Sequence, residues 1–364
     1  KIYDTGKLVT QNYSEAEKWY RKAANQGNAE AIFAIGKMYW MGNGLKKDPG
    51  KALDWYLKSA EKMYQPAMEE VASCYYCGYC GIPINYHKAE KWYRLLVDMG
   101  SIDAICDLGQ LYCYGSGIYD DPYEKKEIEE KFDKDELKAL YYFMLASKHG
   151  NSDAMLMIAH MYDWDYLCSA TDEDIIDRYI DEDAMNQLTT IDKIDDFFEY
   201  IRHMLDSLSR EELSEKDRWR HKVHWALESV NVGNSEAAID LGDWYVEEGY
   251  GLDYKYVSYY DAYYYYVKAL KMGCYFVEEV EEKIRDLCYE LGSVCEKERD
   301  GKEADEWYKK AFDMYLKAAN QGNLTAQKKL SYMYLIGRGV PASFEESRKW
   351  EERYKGLHVW KKED

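Results

Sequence analysis

A short pattern recurs along the chain, and this internal repeat limits the possible folds more than any other feature. The pattern begins Ala-x-x-Trp-Tyr and ends on a glycine about three helical turns later, as in residues 16–27. Gly27 closes the first copy and Gly100 the third, which gives a unit of 36 to 37 residues. Later copies lie at 139–150, 223–233, 262–273 and 311–322. A period of this length indicates an array in which each unit is a pair of helices.

A second pattern follows each copy of the first. In the first unit it runs from Ala31 through Ile35 and Met38 to a Gly-x-Gly turn at 42–44. Ala31, Ile35 and Met38 stand at i, i+4 and i+7, so the pattern predicts a helix with one buried face. Further copies, each with its Gly-x-Gly turn, lie at 103–117, 236–251 and 325–339.

Glycines stand at two kinds of position in these helices. Gly27 comes where a helix ends, and there a left-handed residue satisfies the last carbonyls without a clash at Cβ. Gly36, Gly109 and Gly242 stand inside predicted helices, where glycine costs about 1 kcal/mol relative to alanine. We therefore expect the interior glycines to mark places where two helices cross closely.

Taken together, these patterns resemble the Sel-one-like repeat family, a relative of the tetratricopeptide repeat. The shared features are the Leu-Gly-x-x-Tyr helix, the Gly-x-Gly turn and the Ala-x-x-Trp-Tyr-x-x-Ala-Ala-x-x-Gly helix. The resemblance implies an all-α fold, an α/α superhelical solenoid of antiparallel helix pairs. A plain tetratricopeptide array is the alternative, but its period is about 34 residues and it lacks the Gly-x-Gly turn.

The array is predicted to hold six or seven units in three regions. Residues 1–164 are N-terminal helix-pair repeats, 165–216 an acidic helical insertion, and 217–364 C-terminal repeats ending in a capping helix. A charged stretch at 120–135 lengthens one turn. Between 274 and 299 the expected Leu-Gly pair comes about ten residues late, so the repeat register there is open.

Net charge and hydropathy restrict the partners. A formal net charge of −20 opposes binding to nucleic acid, whose phosphates are bound mainly by Lys and Arg. No apolar run has membrane length and no signal-peptide pattern is present, so we expect no membrane insertion. Nine cysteines in a chain of this size favour reduced thiols and a cytoplasmic protein. The alternative is a secreted or periplasmic protein whose leader was removed before Lys1.

Possible catalytic and metal motifs are weak. The run Cys74-x-x-Cys77-x-x-Cys80 has thiolate spacing, but a structural zinc needs a fourth ligand. Cys74 occupies a core position of the repeat and Cys80 lies in the turn, so we expect their side chains to diverge and to be packing thiols. His221-x-x-His224 lacks an accompanying Glu-x-x-His pattern. We therefore predict a protein that is not an enzyme, with no catalytic residue, cofactor or metal site.

Three positions of each second helix vary from unit to unit. They are the equivalents of Ala34, Lys37 and Met41, which stand at i, i+3 and i+7 and so share one face outside the core. In related arrays this helix lines the concave side, and Tyr and Trp at such positions are typical of interface anchors. The alternative is an ordinary solvated helix face. The residues predicted to bind a partner are Glu70, Asp107, Gln110, Tyr114, His160, Trp164, Asp240, Asp243 and Glu247.

The resulting hypothesis is a non-enzymatic protein–protein interaction scaffold or adaptor. Its concave groove would accept a peptide or protein surface, and its carboxylates predict a partner with a basic segment. What the resemblance implies is broad, since relatives act as adaptors in signalling, protein quality control and contact between bacterium and host. The alternative is a regulatory or inhibitory repeat domain of a larger protein whose catalytic part lies upstream.

Overall fold

A computed structural model describes residues 11–115, 131–163, 215–247, 255–297 and 300–360. Within these ranges the chain forms fifteen α-helices and no β-strand, which confirms the predicted all-α class. Trp164 lies outside the described residues, and so does nearly all of the predicted acidic insertion. The helices are α1 (Tyr13–Asn25), α2 (Ala29–Met41), α3 (Pro49–Ala60), α4 (Gln65–Cys77), α5 (Tyr86–Asp98), α6 (Ile102–Tyr114), α7 (Glu136–Lys148), α8 (Ser152–Asp163), α9 (Glu215–Val232), α10 (Ser235–Glu247), α11 (Lys255–Met272), α12 (Val277–Lys297), α13 (Gly301–Asn320), α14 (Leu324–Ile336) and α15 (Phe344–Trp360).

The helices pack in the order in which they occur along the chain. From α1 to α8, and again from α10 to α15, each helix packs against the next one. This sequential packing confirms the helical solenoid that the repeat predicts. The chain divides into two compact units, residues 1–225 and 226–364, which we call unit 1 and unit 2. Their common border falls within α9.

Local sequence signals set the helix ends. At the start of α2 the side chain of Asn28 accepts a hydrogen bond from the backbone N–H of Ala31 at 2.8 Å. Asp48 caps α3 in the same way through Lys51 at 3.0 Å. Gly42 ends α2 in the left-handed conformation, at φ 79°, where a side chain would be strained. The same two signals, an Asx cap and a left-handed glycine, recur at several later helices and keep their lengths uniform.

Interior glycines let the second helix of one repeat cross closely against the first helix of the next repeat, as predicted. A Cβ added at Gly36 would lie 2.6 Å from the Tyr56 ring of α3. At Gly109 the added Cβ would lie 2.6 Å from the Phe143 ring of α7. In each case an aromatic ring fills the space that a side chain would need, so only glycine permits this approach.

The helix pair α12–α13 explains the irregular register between 274 and 299. These helices have 21 and 20 residues, whereas the second helices α2, α4 and α6 have 13. Gly292 of α12 meets the Tyr308 ring of α13, 2.7 Å from an added Cβ, and not the later Tyr315. Both helices are extended together by about two turns, so the glycine–aromatic contact is kept.

The cysteine run departs from the prediction. Cys74 and Cys80 form a disulfide, with Cα atoms 5.6 Å apart, so the expectation that their side chains diverge is wrong. The cause is the turn after α4: Gly78 is left-handed at φ 67°, and the chain reverses so that Cys80 lies against the last turn of the helix. The other six cysteines in the described ranges are free.

No helix in the described ranges is long and apolar enough to cross a membrane. The two histidines of the His221-x-x-His224 pattern make ring contacts instead of converging on one point. The His221 ring stacks on Tyr162 at 5.2 Å between centroids, and the His224 ring contacts Trp225 at 5.8 Å. No group of three or more His, Cys, Asp or Glu suited to a metal ion occurs among the residues described.

Candidate partner-binding face

The variable positions of unit 1 lie on second helices that contact one another. The rings of Trp40 on α2 and Tyr79, which follows α4, lie 5.0 Å apart between centroids. The Tyr114 hydroxyl on α6 donates a weak hydrogen bond to the Met157 sulfur on α8 at 3.8 Å. These helices therefore bring Glu70, Asp107, Gln110, Tyr114 and His160 onto neighbouring elements. We call this set, with the residues packed around it, the unit 1 face.

Asp107 on α6 is the most perturbed carboxyl group of the unit 1 face. Burial, together with the nearby carboxylates Asp103, Glu69 and Asp153, raises its pKa to about 7. Among the described residues no Lys or Arg forms an ion pair with it. Asp107 is therefore only partly ionised near neutral pH, and its carboxylate form is poorly solvated and has no Lys or Arg partner within the described ranges.

Glu70 on α4 lies one repeat earlier. Burial is the main cause of its raised pKa, while the Lys37 ammonium on α2 lowers it. Tyr79, 38% exposed, stands beside Glu70 and hydrogen-bonds Ser73. The hydroxyl of Tyr56 is buried close to Glu70 and forms no hydrogen bond with any residue that the structure describes.

Tyr93 connects the two carboxyl groups. Its ring is buried between α4 and α6, and burial raises its pKa above the usual range, with the charge of Asp107 as the next cause. The Ser73 hydroxyl donates a hydrogen bond to the Tyr93 phenolic oxygen, and this bond lowers the pKa of Tyr93. Tyr56 and Tyr79 thus lie close enough to Glu70, and Tyr93 close enough to Asp107, for each carboxylate to raise the pKa of its neighbouring tyrosines.

Gln110, Tyr114 and His160 are each half-buried on the unit 1 face. The Tyr114 ring keeps part of its surface exposed while its hydroxyl lies on Met157, so it offers a flat apolar patch with a polar tip. Trp164, the other predicted aromatic anchor, lies outside the described residues. Its role stays a prediction.

In unit 2, Asp243 is already bound within the protein. Its carboxylate accepts a hydrogen bond from the Tyr266 hydroxyl at 2.6 Å and from the Lys283 ammonium at 2.6 and 2.8 Å. The reason is Gly242, which admits the Tyr266 ring so closely that its hydroxyl reaches the next residue. Asp243 therefore holds α10 to α11 and α12. Asp240 is half-buried and Glu247 is exposed on the same helix.

Several residues of this face were not predicted from the sequence. Tyr79 stands in a glycine-rich turn, to which only a turn role was assigned. Tyr93 belongs to the Trp-Tyr helix, to which no partner-binding role was assigned. Lys283, which binds Asp243 in unit 2, stands in the segment of uncertain register. An aromatic residue directly after the left-handed glycine is a signal that would have indicated Tyr79.

The repeat pattern and the helix pairs agree with a profile comparison. The Sel1 repeat profile matches residues 1–28, 29–62, 65–101, 102–124, 132–151, 235–274, 286–323 and 324–352, more than half of the chain. The chain belongs to the Sel1 repeat family. The eight matches exceed the six or seven units predicted, because the segments on either side of the charged turn at 120–135 match separately.

Two characterised Sel1-type relatives match parts of the chain. Chitin synthase regulatory factor 2 of Schizosaccharomyces pombe is 27% identical over 165 residues, 44% of this chain and 30% of the relative. The ERAD-associated E3 ubiquitin-protein ligase component HRD3B of Arabidopsis thaliana is 30% identical over 99 residues, 27% of this chain and 15% of the relative. The chain thus spans less than a third of the length of either relative.

A solved structure of the same family is also similar. The Sel1 repeat protein from Oxalobacter formigenes has 25% sequence identity and a TM-score of 0.45, and the match covers 67% of this chain and 75% of that one.

Proposed function

We propose that this Sel1 repeat protein is a non-enzymatic interaction scaffold whose unit 1 face binds a basic segment of a partner protein. The names of its relatives support a role beside other proteins, since one is a regulatory factor and another a component of a ligase. The repeat fold supports it as well, because stacked helix pairs create extended binding surfaces.

The observation that carries the proposal is the charge of Asp107. Burial and like charges destabilise the ionised form of a carboxyl group. A cation that comes close therefore stabilises that form. Asp103, Glu69 and Asp153 extend the negative potential around it and attract a cationic chain from a distance. A Lys or Arg of the partner would supply the cation that the described part of the chain does not.

The aromatic residues account for affinity in this proposal. Tyr79 and Tyr114 offer partly exposed rings beside the carboxyl groups, and rings in such places supply most of the binding energy in many interfaces. A Lys or Arg side chain also lies favourably over a tyrosine ring. The partner segment is therefore expected to combine basic and apolar residues.

The test uses two fluorescein-labelled peptides of equal length, one with Lys flanking a central Leu and one with Glu in place of Lys. Fluorescence anisotropy should show saturable binding of the Lys peptide to the chain and none of the Glu peptide. Asp107→Asn should weaken binding of the Lys peptide about tenfold, because it removes the buried charge. Asp54→Asn is the matched control, since Asp54 is exposed on α3, away from the unit 1 face.

Equal binding of both peptides would contradict the proposal, and so would an equal loss in the two variants. Asp107→Asn is expected to fold, because the substitution removes a charged group that burial disfavours. Its thermal midpoint, measured beside the titration, separates lost binding from lost structure.

A second proposal is that the repeats regulate an enzyme. The word "regulatory" in the name of the Schizosaccharomyces pombe relative favours it. Once a partner enzyme is in hand, its rate is measured with and without the purified chain. A changed rate supports regulation, whereas binding with an unchanged rate supports a scaffold.

The cellular compartment is a separate proposal. The disulfide Cys74–Cys80 favours the secreted or periplasmic alternative, because disulfides persist in oxidising compartments. The six free cysteines of the described ranges favour the cytoplasmic prediction. A count of the cysteines that can be alkylated with and without reduction decides between the two compartments.

A further inference from the structure

The turn between α11 and α12 exposes three large apolar side chains in a row. Tyr275 is 91% exposed, Phe276 52% and Val277 44%. The rings of Tyr275 and Phe276 contact each other edge to face at 5.2 Å between centroids. A contiguous exposed apolar patch of this kind marks an interaction site more often than isolated apolar residues do.

This patch forms one side of a depression of about 830 Å³ that lies within unit 2. The other side consists of Met314, Ala318 and Gln321 on α13. The volume falls in the range of pockets that enclose a few side chains of a ligand. The depression is separate from the unit 1 face, because all of its lining residues belong to unit 2.

Arg285 of α12 also lines the depression, and its guanidinium group forms no hydrogen bond with the part of the chain that the structure describes. The residue is only 5% exposed, its Nε is buried without a partner, and its group lies 5.5 Å from the centre of the Tyr315 ring. Its nearest carboxylate, Glu282, is 3.6 Å away, beyond hydrogen-bond length. A buried donor without an acceptor is costly, so a ligand that offers an acceptor would gain from it.

The charge of the rim selects the ligand. Four glutamates of α12 line the depression: Glu278, Glu279, Glu281 and Glu282. Three of them form ion pairs, Glu281 with Lys317 at 2.8 Å, Glu279 with Lys283 at 3.4 Å and Glu282 with Arg285 at 3.6 Å, so four glutamates face three cations and the rim keeps a small net negative charge. A negative rim repels an anionic ligand and attracts a cationic one. The acceptor for Arg285 is therefore a neutral carbonyl, and a positive charge lies nearby in the ligand.

We propose that this depression binds a short peptide segment of a partner protein in which an aromatic side chain adjoins a Lys or Arg. The aromatic side chain lies on Tyr275, Phe276 and Met314. A backbone carbonyl of the segment accepts hydrogen bonds from Arg285, and the basic side chain pairs with the glutamate rim. This second site does not depend on the unit 1 face.

The probe is the amidated peptide Gly-Lys-Bpa-Lys-Gly, in which Bpa is the photoreactive amino acid p-benzoylphenylalanine. The full chain is irradiated with the probe, and labelled residues are mapped by mass spectrometry of proteolytic fragments. We expect labelling at residues 275–285 or 314–321. The double variant Tyr275→Ser, Phe276→Ser should lower the label there about fivefold or more, because it removes the aromatic wall.

The control is Phe344→Ser, which removes an equally exposed aromatic ring, 75% exposed, from another part of unit 2. It should leave labelling of the depression unchanged, and so should Asp107→Asn in unit 1. A probe with Glu in place of Lys should label about fivefold less. Labelling confined to other regions, an equal loss with Phe344→Ser, or equal labelling by the Glu probe would overturn the proposal.

Arg285→Lys tests the hydrogen bond separately, because it keeps the positive charge but removes the planar donor group. We expect a loss of label beyond twofold with helical content unchanged by circular dichroism. A folded Arg285→Lys protein that labels as strongly as the parent would overturn the role given to Arg285. If the variant fails to fold, the Tyr275 and Phe276 variants, whose side chains face solvent, decide the question.

Discussion

Glycine and an aromatic ring form a recurring pair in this protein. The glycine stands inside a second helix, and the ring comes from the next helix along the chain, as in Gly36 with Tyr56 and Gly242 with Tyr266. The interior glycines predicted a close crossing, and this prediction is confirmed. Which ring fills the gap was harder to predict, because Phe143 replaces tyrosine at Gly109 and Gly292 uses a ring one heptad earlier than the pattern indicates.

The crossing at Gly109 gives a prediction at the scale of one residue. Gly109→Ala should lower the free energy of unfolding by about 1–3 kcal/mol, because the new Cβ overpacks against the Phe143 ring. Gly109→Leu should cost more. The measurement is the urea concentration at the midpoint of unfolding, followed by circular dichroism.

Gly356→Ala is the matched control for this substitution. Gly356 lies in α15 with no atom within 4 Å of an added Cβ, so alanine should raise the free energy of unfolding by about 0.4–1 kcal/mol. An unchanged midpoint for Gly109→Ala would show that the crossing is not as tight as the described contacts indicate.

Asp107 and Asp243 show how far the roles of single residues in the candidate site could be predicted from the sequence. Both residues were predicted to lie on the variable face and to bind the partner. The structure separates them, because Asp243 is bound by Tyr266 and Lys283, whereas no described Lys or Arg pairs with Asp107. Lys283 is 40 residues from Asp243, and no local pattern indicates a pairing across that distance.

At the scale of helices and turns, the ends of elements followed the sequence closely. An Asx cap begins α2 and α3, and a left-handed glycine ends α2 and α4. The exception is the turn after α4, where Cys80 was correctly assigned to the turn but its contact with the helix was not predicted. Gly78 reverses the chain tightly enough to bring Cys80 to Cys74, a contact that the repeat pattern alone does not contain.

The disulfide in that turn can be measured directly. Alkylation of the denatured, unreduced protein should modify two fewer cysteines than alkylation after reduction, because Cys74 and Cys80 are bonded. Intact mass spectrometry gives the two counts. Cys74→Ala with Cys80→Ala is the control, and its two counts should be equal. Equal counts for the parent protein would show that this pair is reduced and would favour the cytoplasmic prediction.

At the scale of the whole molecule, repetition made the fold predictable and the partner unpredictable. Each helix-pair repeat contains the same core contacts, so one correctly interpreted repeat predicts the others. The variable face does not repeat, and its properties depend on groups brought together from different units. The raised pKa of Asp107 arises from burial and from carboxylates on α4, α6 and α8, which no single repeat contains.

The central claim is that Asp107 of the unit 1 face binds a cation of the partner, and its pH dependence tests this most directly. The pKa of free Asp107 is raised to about 7, and a bound cation lowers it, so binding releases a proton. Affinity for the Lys peptide should therefore be full above pH 8 and should fall as the pH decreases through 7, by up to about tenfold per pH unit. Lys and Arg of the peptide do not titrate in this range.

The measurement is the anisotropy titration with the Lys peptide from pH 6 to 8.5, on the parent chain, on Asp107→Asn and on His160→Gln. His160→Gln is the control for the histidine on this face, because imidazoles as a class can change charge near neutral pH. The parent and His160→Gln should lose affinity as the pH falls, and Asp107→Asn should bind weakly with a flat profile. A pH profile for Asp107→Asn that matches the parent would contradict the account.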